Sequence, residues 1–133
     1  MVSNGVITDA ASRGPEECGA KSYMAIWDTG ASSSAITQRV VDELRLPIIS
    51  RGMTNTAAGY VATTGHDIHL WLPHKVVITH CVASCVDLGK IDADILIGMN
   101  VIVQGDFSIS NYDGKTIMSF REPSMGHIDY TKA

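Results

Sequence analysis

The stretch Tyr23-Met24-Ala25-Ile26-Trp27-Asp28-Thr29-Gly30-Ala31-Ser32-Ser33-Ser34 decides how the chain is read. An uncharged, largely apolar run reaches a single carboxylate and then gives way to Thr, Gly, Ala and Ser, whose side chains bury little surface. A strand that ends this way presents an acid at the edge of a core. A second landmark lies further on. Ala93-Asp94-Ile95-Leu96-Ile97-Gly98-Met99-Asn100-Val101-Ile102 is an apolar run closed by glycine and followed by a short helical-looking segment.

Working outward, the 133 residues fit one domain, residues 1–133, large enough for a core yet in the range where oligomerisation adds to stability. A hydrophobic content of 45% with 12 glycines fits a loop-rich soluble fold, and a net charge of -4 argues against a nucleic-acid surface. No apolar run approaches the roughly 18 residues of a membrane span. The opening Met1-Val2-Ser3-Asn4-Gly5 has neither the basic nor the apolar region of a secretion signal. Three irregularly spaced cysteines, Cys18, Cys81 and Cys85, favour free thiols over a disulfide framework, and with it a reducing, cytoplasmic setting.

Val2 to Asp9 reads as an edge strand interrupted at Asn4-Gly5, followed by a turn-prone Ser12 to Glu17 and a returning strand, Lys21 to Trp27. Apolar residues at 40, 41 and 44 predict a short helix over Gln38–Leu44 that Pro47 stops. Pro47 to Thr56 and Tyr60 to Leu72 are strand-like arms around a small-residue tip, with Gly65 suggesting a bend or bulge. Ile68, Leu70 and Leu72 alternate with Asp67, His69 and Trp71, a period of two that covers one face. Lys75 to Ala83 is another strand. Asn100 to Val103 predicts a short helix, and Asp113-Gly114 marks the turn of a hairpin between Phe107–Ser110 and Lys115–Phe120. Residues 121–133 read as a partly ordered tail after a core of about 20–120.

Asp-Thr-Gly preceded by Ala-Ile-Trp, followed by Ala-Ser-Ser and joined some 70 residues later by Ile-Leu-Ile-Gly, resembles the retropepsin-like aspartic proteases. The resemblance covers roughly residues 20 to 120 and implies an all-β acid-protease fold: a closed, barrel-like domain with a flap hairpin and one short helix. It also implies an aspartic endopeptidase. Peptide hydrolysis of this kind uses two carboxylates sharing one proton across a water, so that one acts as base while the other holds the acid proton. The chain has one Asp-Thr-Gly and no internal repeat. The resemblance therefore implies a C2 homodimer in which Asp28 meets its copy, acting on peptides or unfolded protein segments.

In the family pattern Gly30 allows the tight turn, Thr29 hydrogen-bonds across the dyad, and Ala31 leaves room for a peptide backbone. Ile97-Gly98 packs behind the Asp loop. The implied catalytic residues are thus Asp28, Thr29 and Gly30; the implied substrate contacts are Ala31, Ile97 and, from the flap, Met53, Thr56, Ala57, Ala58, Gly59 and Tyr60. No cofactor or metal is implied. The chain departs from the retroviral pattern at Ser32 and Met99, where a mutually pairing Asp and Arg usually stand. Ala31 replaces the Ser of pepsin-like enzymes, which points to a weakly acidic optimum. The terminal segments Val2 to Asp9 and Thr116 to Phe120, with Tyr130 weaker, are the strands available to a dimer interface.

Blander readings stand beside these. Asp28 could cap an ordinary turn, and Asp94 lacks a Thr-Gly of its own and reads as structural. His66 and His69 face opposite ways on a strand, so a zinc cluster drawn from them and His74, His80, Cys81 and Cys85 ranks below buried thiols. Trp27 and Trp71 read as packing residues. Ser32 to Ser34 have no His-Asp relay, and Gly59 and Gly65 make no phosphate loop. A non-catalytic peptide-binding or dimerisation module of the same fold is the functional alternative, and a plain structural β domain is the third reading.

Overall fold

The computed structural model describes residues 2–8 and 20–132, with residues 2–8 and His74 described by their backbone alone. The turn-prone Ser12 to Glu17 and Cys18 lie outside the described residues. Among the described residues, nine strands and two short α-helices follow in order: β1 (Val2–Thr8), β2 (Lys21–Trp27), β3 (Ser34–Ile36), α1 (Gln38–Leu44), β4 (Ser50–Thr56), β5 (Gly59–Leu72), β6 (Val76–Cys85), β7 (Ile95–Ile97), α2 (Met99–Ile102), β8 (Asp106–Ser110) and β9 (Ile117–Arg121). The fold is all-β, as expected, with α2 a single turn.

Seven strands form one sheet in the order β1-β2-β7-β3-β6-β5-β4, and β1 pairs with β5 as well, so the sheet curls back on itself. The apolar runs recognised in the sequence supply its centre. Ala25, Ile36, Ile68, Leu70, Ile78, Ile95 and Ile97 are all buried. They come from alternate positions of β2, β3, β5, β6 and β7, as the pleat requires of strands with one covered face. Each such isoleucine or leucine contributes about 1.5–3 kcal/mol relative to an exposed side chain. Trp27 closes one end of this core against Phe107 and Phe120, with ring centroids 5.7 and 5.0 Å away. The β8–β9 hairpin is thereby docked on the sheet through aromatic packing.

Helix α1 ends earlier than Pro47 requires. Arg45 adopts a left-handed conformation (φ 51°) and its N–H returns to the carbonyls of Val41 and Asp42. This αL cap turns the chain so that Leu46 enters the core. The helix is also tied to β2. Tyr23 donates to Glu43 at 2.7 Å, and Arg39 bridges Glu43 and Asp94 at 3.2 and 2.7 Å. Burial, reinforced by the neighbouring Glu43 carboxylate, raises the Tyr23 phenol well above its ordinary range. Asp94 also accepts from the Thr37 hydroxyl at 2.7 Å, which gives it the structural role expected.

Two details differ from the sequence reading. β1 is continuous through Asn4-Gly5 and is not a simple edge: Val6–Thr8 pair with Trp71–His69 of β5 while Val2–Ile7 pair with β2. Pairing of Asn4 with Met24 and of Gly5 with Tyr23 on β2 holds them extended where local propensity alone would break the strand. The register slip of β5 also lies beyond Gly65. Ile68 pairs with Cys81 and Leu70 with Ile78, so the extra residue belongs to β6, where His80 takes a left-handed conformation (φ 56°). The bulge lets Ile78 and Cys81, three positions apart, both face the core.

The tail after β9 is exposed but tethered. Asp106 accepts from Arg121 Nε at 2.7 Å, from the Ser124 hydroxyl and from the Met125 N–H at 2.8 Å. These donors, the Met125 amide foremost, hold its carboxyl well below the usual range. A carboxyl depressed in the folded state stabilises it above its unfolded value, about 3.9, and loses that contribution as the pH falls through the folded value. Asp106→Asn should therefore lower Tm near neutral pH, with the gap from the parent closing on acidification below about pH 4, and should speed proteolysis after residue 121. Thermal melts across pH and limited digestion check this. In the core, Ile95→Ala should cost about 2–5 kcal/mol in urea unfolding, as expected for an emptied isoleucine site.

Candidate active site

Asp28 follows directly on β2. Trp27, the last strand residue, pairs in parallel with Ile97 of β7, and the Asp28 N–H donates to the Ile97 carbonyl at 2.9 Å, fixing where the strand ends. The chain then turns. Ala31 N–H returns to the Asp28 carbonyl at 3.3 Å, and the Gly30 N–H donates to Asp28 Oδ1 at 2.8 Å. The carboxylate is thus half-buried at its root and oriented by a backbone amide, while Thr29 and Gly30 are exposed. A carboxylate held by an N–H at its base keeps its other oxygen and outer face available for a water, a peptide or a second acid.

The loop is held from behind. Met99 N–H donates to the Ala31 carbonyl at 2.7 Å and Asn100 N–H to the Ser32 carbonyl at 3.2 Å. At Gly98 a side chain is impossible: a Cβ there would stand 2.4 Å from the Ser33 carbonyl oxygen and 2.9 Å from that of Ala31. The two backbones therefore lie against each other as closely as peptide groups permit, which only glycine allows.

A buried polar network completes the support. Ser34, buried at the start of β3, accepts from the Gly98 N–H at 3.0 Å and donates to Asn100 Oδ1 at 2.7 Å. Asn100 Nδ2 in turn donates to Cys81 Sγ at 3.4 Å. Burial raises the Cys81 thiol, and burial likewise raises that of Cys85. Both are free thiols. The contributions of Ser34 and Asn100 were not legible in the sequence. Ser34 sits in a run of serines that reads only as candidate nucleophiles, and the one usable signal is its position immediately before Ala35 and Ile36.

Among the other residues singled out, Ala31 is half-buried in the loop. Met53, Thr56, Ala57, Ala58, Gly59 and Tyr60 gather on the β4–β5 hairpin. Thr56 pairs with Gly59 across the two-residue turn Ala57-Ala58, and Gly59 has φ +102°. The Thr56 hydroxyl accepts from the Ala58 N–H at 3.2 Å and donates to the Gly59 carbonyl at 3.0 Å, stiffening the tip. Residues 59–64 of β5 pair with β4 but precede the β6 ladder, which begins at Gly65, so the hairpin projects beyond the sheet. Met53 and Tyr60 leave it 64% and 74% exposed. Ile97 is different: its side chain is fully buried in the core, and its carbonyl, not its side chain, serves the loop.

Gly98→Ala should disturb this arrangement at its tightest point. The expected loss is about 1–3 kcal/mol of stability, the usual cost of forcing a methyl into filled space, with slowed-exchange protection of the Asp28 and Met99 amides reduced. Urea unfolding and amide hydrogen exchange measure the two effects.

No curated protein matches the chain. A family model described as gag-polyprotein putative aspartyl protease matches residues 17–104, two-thirds of the sequence. That span runs from before β2 through α2 and so contains the Asp28 loop, the β4–β5 hairpin and the Gly98 support behind the loop. The chain belongs to this retropepsin-like family of aspartyl proteases.

Proposed function

We propose that the chain is an aspartic endopeptidase that works as a C2 homodimer, with Asp28 of each copy forming a shared two-carboxylate site. The observation that carries this reading is the setting of Asp28: one acid at the end of a core strand, oriented by the Gly30 amide and backed by the Gly98 segment. A single carboxylate cannot be base toward water and acid toward the carbonyl oxygen in one step. Two copies related by a two-fold axis supply both.

In this mechanism one Asp28 is ionised and takes a proton from the bound water as the water attacks the scissile carbonyl. The other is protonated and donates to the carbonyl oxygen, which gains charge in the tetrahedral intermediate. The proton taken from water then passes to the leaving amine as the C–N bond breaks. Thr29, exposed beside the acid, bonds to the opposite loop and sets the separation of the pair. Gly30 and Ala31 leave space for the substrate backbone. The β4–β5 hairpin closes over an extended peptide, Thr56 to Gly59 through backbone groups and Met53 and Tyr60 through apolar contact.

Strand edges support the oligomeric part. Val6 and Ile7 are already paired on both sides, which leaves, among the described residues, 2–5 with one free edge and the outer edges of the β8–β9 hairpin for a second copy. The free Cys81 and Cys85 support a reducing compartment such as the cytoplasm. No helix among the described residues is long and apolar enough to cross a membrane.

The test is cleavage of a diverse peptide library between pH 3 and 7 by the parent chain and by Asp28→Asn at matched concentration. The parent should cut with a rate per chain that rises with concentration as dimers form, and Asp28→Asn should lose about 10²–10⁴-fold or more. Folded dimers that cut nothing would replace this reading with a peptide-binding module.

A further inference from the structure

The bulge in β6 creates a second cluster of chemistry on the outer face of the sheet. Asp67 and His69 are two apart on β5 and so share a face. Regular pairing would not bring His80 to them in this way. With Thr79 and His80 looped opposite His69, the His80 ring instead stacks edge-on against that of His69, centroids 4.8 Å apart, and its Nδ1 lies 3.0 Å from Asp67 Oδ2. One ligand atom from each of the three residues lies within 4.8 Å of the others.

Two observations say what this cluster is suited to hold. Asp67 Oδ1 is buried with no hydrogen-bond partner among the described residues, and leaving a buried carboxylate oxygen unsatisfied is costly. On the neighbouring residue of the cluster, the His69 Nδ1 lone pair accepts from the His80 backbone N–H, over a long 3.2 Å. A cation shared by these atoms offsets the first cost and replaces the second, weak bond. Ligand atoms around a tetrahedral ion with bonds of about 2.0–2.1 Å stand about 3.3 Å apart. The Asp67–His80 pair, at 3.0 Å, is close to that spacing, and a side-chain movement of about 1.5 Å closes the 4.8 Å span that brings in His69.

We propose that Asp67, His69 and His80 form a binding site for a divalent transition ion of the zinc class, separate from the Asp28 site. Imidazole and carboxylate together suit such an ion better than calcium or magnesium, which prefer all-oxygen shells. His69 is 2% exposed and anchors the site from within; the exposed His80 closes it from outside and leaves a coordination position open to water. Coordination requires the His80 nitrogen that faces Asp67 to give up its proton, so the ion takes the place of the hydrogen bond between them. The bound ion bridges β5 to β6 across the bulge, on the same strand that runs on into the projecting hairpin, and so stiffens the root of that hairpin.

The experiment uses the whole chain after chelator treatment, titrated with Zn²⁺ by calorimetry near neutral pH and with Co²⁺ by visible absorption. The parent should bind one equivalent per chain. Asp67→Asn and His80→Asn should each bind at least tenfold more weakly, whereas Asp28→Asn should bind as the parent does. Asparagine tolerates the left-handed backbone at position 80, so that variant keeps the bulge, and circular dichroism checks both folds. Absence of stoichiometric binding by the parent overturns the proposal, and so does binding left unchanged by either substitution.

Discussion

Everything near Asp28 depends on two pieces of backbone, distant in sequence, being allowed to touch. The segment from Ile97 to Asn100 lies directly behind the loop from Asp28 to Ser34, and three amide–carbonyl bonds cross between them. Such closeness is possible because position 98 carries no side chain. Close packing of peptide groups also creates a difficulty, since polar groups shut away from water need partners. Ser34 and Asn100 answer it: the Gly98 N–H is taken up by a hydroxyl whose own proton goes to an amide oxygen. The loop is held by a support that is polar and satisfied, and the apolar core surrounds it.

The curled sheet explains how one chain can combine that rigidity with a projecting cover. β5 has 14 residues, twice the length of β4, and it has different neighbours along its course. Residues 59–64 pair with β4 alone, and 59–62 are exposed; from Gly65 on the strand pairs with β6, residues 69–71 pair with β1 as well, and Ile68, Leu70 and Leu72 line the core. The change from hairpin to barrel wall happens within one unbroken strand. The hairpin is therefore rooted in the packed wall of the sheet, with Gly65, where the β4 ladder ends and the β6 ladder begins, marking the boundary.

Much of this was legible in the sequence where a local pattern carried the information. The apolar run into Asp28, the Ile95–Ile97 strand closed by glycine, the 40/41/44 spacing of α1 and the Asp113-Gly114 turn each report on their own neighbourhood, and each element formed where expected. What stayed hidden was information held between segments. Nothing about Val6 announces that it pairs with Trp71 as well as with Ser22. A histidine in a Val/Ile strand gives no sign that it will adopt φ 56°, so the slip in register seemed to belong to Gly65, the residue whose type permits a bend. Ile97 shows the same limit at the candidate site. Its neighbours are near Asp28, but its side chain follows the alternation of β7 into the core.

The bond from the Asp28 amide to the Ile97 carbonyl joins positions 69 residues apart. Because the intervening chain must be brought together before this contact repays its loop-closure entropy, it belongs to the slow, non-local part of folding. On a ribosome the order is stricter still: the Asp28 turn emerges early but has nothing to rest against until the segment around Gly98 has been made. The loop is thus synthesised before the segment that supports it and acquires its shape only once that segment has followed. A nascent or truncated chain, however much of the β4–β5 hairpin it contains, carries the acid without the frame that orients it.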